Sequence, residues 1–220
     1  SHANVRRLSS EGCRSRLPWS MALPNFKKDA SLIVPILENL KADPSLFVRK
    51  SVANNLNDIS KDHPELALQL AKKWNGTSTH TNWIVKHGMR TLLKAGNAEA
   101  LQIFNYAEPG KLALLRFQIL THEVVFGKAL EFQLILENKT NEHLLIRLEY
   151  AIYFMKSNGL QNKKVFKISE RGVHAFETIE LKKSHIIKPI STRKYYSGKH
   201  AVALIVNGVE FEKHDFLLHM

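Results

Sequence analysis

At Tyr106-Ala107-Glu108-Pro109-Gly110 the apolar residues of this chain change their spacing, from every third or fourth position to every second, across a Pro-Gly turn signal. A helix needs the first pattern and a half-buried strand the second, so one element type cannot run through both halves. Composition breaks at the same place: residues 1–107 hold 11 Ala and 10 Val plus Ile, whereas 108–220 hold 6 Ala, 17 Val plus Ile and 12 of the 19 aromatics. The first half therefore reads as helical and the second as strands. A chain of 220 residues then makes two domains of ordinary size, 1–107 and 111–220.

Before the break, stretches of helical length at 31–41, 45–59, 64–74, 81–94 and 97–106 alternate with turn formers. Asp43-Pro44-Ser45 and Asp62-His63-Pro64 put capping residues and prolines at helix starts, where N–H groups lack partners, and Gly96 stands where a helix should stop. Pro35 fits only near a start, which sets the first of these helices to begin close to Ser31. Val48, Val52, Leu56 and Ile59 form one apolar stripe. Short helices with one stripe each must bury it on one another, as in stacked HEAT or armadillo hairpins; a plain helical bundle gives the same pattern.

After the break, Leu130-Glu131-Phe132-Gln133-Leu134-Ile135-Leu136 shows the alternation of a half-buried strand. Seven strands are predicted, at 113–121, 129–138, 143–155, 163–168, 174–182, 199–206 and 209–218, with Asn207-Gly208 as a two-residue hairpin turn. That number in about 110 residues suits an immunoglobulin-like sandwich, without the Cys pair and Trp of antibody domains. Tyr195-Tyr196 is either a tyrosine corner or a pair of surface aromatics.

The net charge of +12 favours a polyanionic partner, nucleic acid first, although lysines that only confer solubility give the same number. Cys13 stands alone, so neither an internal disulfide nor a thiolate zinc site can form. No run approaches the roughly 18 apolar residues of a membrane span, and with no signal-peptide pattern the expected location is the cytoplasm. The sequence has no P-loop, dinucleotide fingerprint, nucleophile elbow or HExxH, and His80 and His87 are seven apart, so neither metal nor cofactor is expected.

The densest functional stretch is VRRLSSEGCRSRLPW at 5–19, with four arginines, one carboxylate and a tryptophan. On a helix Arg7, Glu11 and Arg14 share a face, with Trp19 just beyond its end. On spacing alone an intrahelical ion pair on a solvated face is the better explanation. Trp19, costly to expose, favours a site, and the planar forks of arginine suit phosphate. Trp74 and Trp83 read as core, and Arg49, Lys50, Lys86 and Arg90 as either a basic face or solvated charges.

That stretch, with DPSLFVRKSVANNLNDISKDHP at 43–64 and WIVKHGMRTLLKAG at 83–96, resembles the DNA alkylation repair glycosylases of the AlkC type, relatives of the AlkD group built from HEAT-like repeats. The resemblance implies a HEAT-like α-solenoid followed by an immunoglobulin-like β-sandwich. It implies hydrolysis of the N-glycosidic bond to cationic alkylated bases, 3-methyladenine chiefly and 3-methylcytosine and 1-methyladenine in some members. The expected partner is double-stranded DNA carrying such bases, bound by a monomer, away from any membrane. Family roles fall on Glu11, Asp58 and Trp19 as catalytic residues and on Arg7 and Arg14 as backbone binders; Arg6, Arg16, Arg49, Lys50 and Lys86 extend the DNA-binding set. Family members carry further repeats before the arginine motif, so the expectation is a chain with the fold and part of the site but little activity, lacking a further acidic group.

Two other classes share the basic face: a non-catalytic scaffold for an acidic protein, and a DNA binder without chemistry. Carboxylates separate them, because a pure phosphate binder would avoid placing Glu11 and Asp58 within its positive surface.

Overall fold

In the computed structural model, which describes residues 2–220, the change of pattern is a change of class: the helices end at Ile103 and the strands begin at Leu112. Two compact units result, Ser1–Phe104 and Asn105–Met220. No helix among the described residues is long and apolar enough to cross a membrane.

The first unit contains α1 (Ala3–Gly12), α2 (Pro24–Lys28), α3 (Val34–Leu40), α4 (Leu46–Asp62), α5 (Pro64–Trp74), α6 (Thr79–Gly88), α7 (Arg90–Lys94) and α8 (Ala98–Ile103). Its centre is α4, which packs against α1, α5 and α6. The stripe Val48, Val52, Leu56 and Ile59 is fully buried, as is Trp74. Ser78 and Asn97 cap α6 and α8 by accepting from the N–H groups of Thr81 and Ala100, and Pro64 opens α5.

The helix expected over 81–94 is two helices meeting at the buried Met89. Gly88 precedes the break because α6 runs so close to α4 that a β-carbon there would lie 2.7 Å from Leu56 Cδ2. The helix expected from Ser31 starts at Val34, since Asp29 Oδ1 accepts from Ser31 N and holds that segment in a turn. The five-residue α2 is too short to show a period.

The second compact unit begins at Asn105, just before the change of pattern. Asn105 takes a left-handed turn, and Tyr106 bridges in parallel to Leu145. Ala107 N then donates to Leu145 O, and Asn207 Nδ2 donates to Ala107 O. Those bonds bind the segment to the sheet, and apolar spacing carries no trace of them.

The second unit has eight strands in two sheets. One is β1 (Leu112–Ile119), β3 (Ala129–Asn138) and β6 (Thr178–Ile186), in the order β1-β3-β6. The other comprises β2 (Glu123–Val125), β4 (Leu144–Met155), β5 (Gln161–Val173), β7 (Gly198–Val206) and β8 (Val209–His219), in the order β2-β8-β7-β4-β5. Among the named strands β2 alone pairs in parallel, with β8; at three residues it is too short for alternation to reveal. The expected strand at 174–182 is β6, displaced because β5 runs on to Val173. Leu130 and Phe132 of the first sheet share a core with Tyr150, Ile152, Val202 and Phe216 of the second, so the sheets pack face to face. Asn207 and Gly208 both have positive φ, as a hairpin turn of two residues demands. Tyr195 is buried and its hydroxyl meets Arg193, so it is no surface aromatic.

Candidate active site

The site is assembled where α1 lies on α4. Ser10 donates to Ser51 Oγ at 2.8 Å, and Asn55 Nδ2 donates to Ser10 O at 2.9 Å and Cys13 Sγ at 3.3 Å. These buried polar contacts fix the register between the helices, so that residues 44 apart in sequence meet. Past the end of α1, Arg14 reaches Asp58 Oδ2 on α4 through both Nε and Nη2, each at 2.8 Å. Its Nη1 donates to Glu11 Oε1 at 2.6 Å. One guanidinium thus joins the two carboxylates expected to act in catalysis.

Burial differs sharply within the trio. Asp58 and Arg14 side chains are 2% and 8% exposed, Glu11 21%. Glu11 Oε2 faces Arg7 Nη2 at 3.3 Å, while Arg7 is itself positioned over the Phe47 ring at 4.1 Å and donates to Phe47 O at 2.7 Å. Burial would raise the Glu11 pKa, but Ser51, Arg14 and Arg7 outweigh it and hold the carboxyl below its usual range. The Arg14 guanidinium is likewise held charged: burial opposes this, and Asp58 and Glu11 overcome it. Arg90, donating to Asn54 Oδ1 and His87 O, completes the cationic wall within electrostatic reach of Asp58.

The expected phosphate-binding arginines mostly have internal partners. In Arg14 all three side-chain nitrogens serve carboxylates, and its side chain is 8% exposed. Arg6 grips both oxygens of Asp43, Arg16 both oxygens of Asp62, and Arg49 caps the carbonyls of Asp43 and Pro44. Lys50 is exposed and Lys86 lies over the Phe104 ring at 4.4 Å. Trp19 stands wholly in solvent at φ 62°, in a turn rather than against the carboxylates. Trp83, expected in the core, is only half-buried and stacks on His87. Sequence reasoning passed over Lys61, whose Nζ donates to Asp58 Oδ1 at 3.0 Å, and Asp62; their three- and four-residue spacing from Asp58 was the available signal.

Residues 113–220 match the family model described as the C-terminal Ig-like domain of the uncharacterised protein YhaZ. Over 213 residues the chain is 45% identical to YhaZ of Bacillus subtilis strain 168, covering 97% of this chain and 59% of that protein. All of it superposes, with a TM-score of 0.96 and 38% identity, on 61% of the Pseudomonas fluorescens alkylpurine DNA glycosylase AlkC bound to DNA containing an abasic site analog. The chain is AlkC-like throughout. It spans about three fifths of the length of both relatives. In this AlkC-like chain the carboxylates lie in the helical unit, and the carboxyl-terminal unit is Ig-like.

Proposed function

We propose that this protein is a DNA glycosylase that hydrolyses the N-glycosidic bond of cationic alkylated bases, 3-methyladenine foremost, with 3-methylcytosine and 1-methyladenine as further substrates. On this reading the helical unit is HEAT-like solenoid, the Ig-like unit a sandwich, and the protein a cytoplasmic monomer acting on duplex DNA. The observation that carries it is the Glu11–Arg14–Asp58 bridge: two carboxylates held on one guanidinium in a chain of net charge +12. A surface built only to hold phosphate gains nothing from them.

The chemistry suits the geometry. A positively charged base leaves with the electron pair of its C1′–N bond and becomes neutral, and the sugar takes on positive charge. A preorganised carboxylate stabilises that charge, and water attacks C1′ while giving its proton to the carboxylate. Glu11, partly exposed and held ionised, is suited to both tasks; Asp58 adds negative potential from behind. Trp19 is free to stack on a base or sugar, and the exposed Arg16 and Lys50, with the partly buried Arg7 and Lys86, are the cations proposed to meet phosphates. The test is release of free 3-methyladenine from methylated duplex DNA by the full-length protein, leaving abasic sites. DNA binding without release of any methylated base contradicts the proposal.

A further inference from the structure

Asp58 presents its two oxygens to cations of very different mobility. Oδ2 is held by two nitrogens of Arg14, whose side chain is 8% exposed and whose third nitrogen holds Glu11. Oδ1 accepts from Lys61 Nζ at 3.0 Å, one turn further along α4, and that side chain is 37% exposed. Arg14 cannot leave without stranding buried charge. Lys61 can, because its ammonium sits on a flexible stem at the water boundary, where exchanging one oxyanion for another costs little. The oxygen whose partner can move is therefore Oδ1. Asp62 does not compete for the ammonium, since both its oxygens are taken by Arg16.

Building on the glycosylase reading, we propose that Lys61 is a positioning residue whose ammonium exchanges Asp58 Oδ1 for a DNA backbone phosphate, uncovering the second carboxylate only when DNA is bound. In the free protein the pair neutralises Asp58. On DNA the same cation neutralises a phosphate instead, and the site gains negative potential toward the sugar at the moment a cationic sugar has to form. Binding and preparation of the site become one event.

The test compares wild type, Lys61→Met and Lys61→Arg in the full-length protein. Affinity for a duplex carrying an uncleavable abasic analogue is measured against salt, and excision from methylated DNA is followed in single turnover at saturating enzyme. Lys61→Met should weaken binding about three- to tenfold and reduce the slope of log affinity against log salt by about one. The loss should fall on affinity and not on the saturated rate, and Lys61→Arg should restore binding. A saturated rate that drops as far as that of Asp58→Asn, with affinity unchanged, overturns the proposal, because Lys61 would then act on Asp58 during the reaction. Equal salt slopes for wild type and Lys61→Met overturn it too. Absence of excision by wild type would count against the glycosylase reading instead, and the salt slopes, read on binding alone, would still decide the exchange.

Discussion

Arg14 shows what a residue's neighbours add to its identity. Its charge and its place in the arginine motif point to phosphate, yet the fold spends its nitrogens on Glu11 and Asp58. Spacing could show the contact three residues away; the one 44 residues away needed the packing of α1 on α4. Removing the guanidinium by Arg14→Met should cost about 3–5 kcal/mol, because it leaves Asp58 buried and short of a partner. Chemical denaturation measures this, and a loss within the range of an exposed ion pair, about 0–1 kcal/mol, contradicts the bridge. Glu38 makes a separate, pH-dependent case. Burial opposes its ionisation, but Lys41, Lys73 and Trp74 Nε1 hold its pKa down to about 2, from an ordinary value of 4.5. A depressed pKa stabilises the fold above the ordinary value and loses that contribution as pH falls toward 2. Glu38→Gln should therefore lower Tm at neutral pH, and the difference from wild type should shrink between about pH 4.5 and pH 2. A gap that stays constant across that window contradicts the pairing.

Among the elements, α4 does most to place the site. Its apolar stripe was legible from spacing alone, because four buried residues at helical intervals leave little choice of face. The break at Met89 was not, since no proline marks it; beside it, Gly88 is required by the approach of α6 to Leu56. Gly88→Ala should destabilise by about 1–3 kcal/mol through that contact, and Leu56→Ala by about 2–5 kcal/mol through the cavity it leaves. The double variant should be less destabilised than the sum, as the new methyl group enters the space vacated; strict additivity in denaturation experiments would show that the helices do not meet there. In the sheets, alternation and Asn207-Gly208 revealed the long strands. The short β2 and the capture of Tyr106 and Ala107 depend on backbone partners that side-chain patterns do not encode.

For the whole molecule, charge pointed to a polyanionic partner and the motifs to the AlkC type and to Glu11, Arg14 and Asp58; neither gave the contacts that join those three. With +12 spread over 220 residues, the expectation was arginines on phosphate with Glu11 and Asp58 set among them. The structure instead has a lattice of ion pairs, Arg6–Asp43, Arg16–Asp62 and Glu11–Arg14–Asp58, in which acids and bases hold one another in place. Such a surface sets carboxylates among cations, which a plain basic patch does not. The central claim is that these carboxylates act in bond breaking. The measurement that tests it most directly is single-turnover release of 3-methyladenine from methylated duplex DNA by full-length wild type, Glu11→Gln and Asp58→Asn, with DNA affinity measured on the same samples. The account predicts a rate loss of about 10²–10³ for Glu11→Gln at an affinity close to wild type, and a clear rate loss for Asp58→Asn at an affinity no weaker than wild type. Variants that excise at the wild-type rate, or that lose activity only in proportion to lost DNA binding, would contradict it.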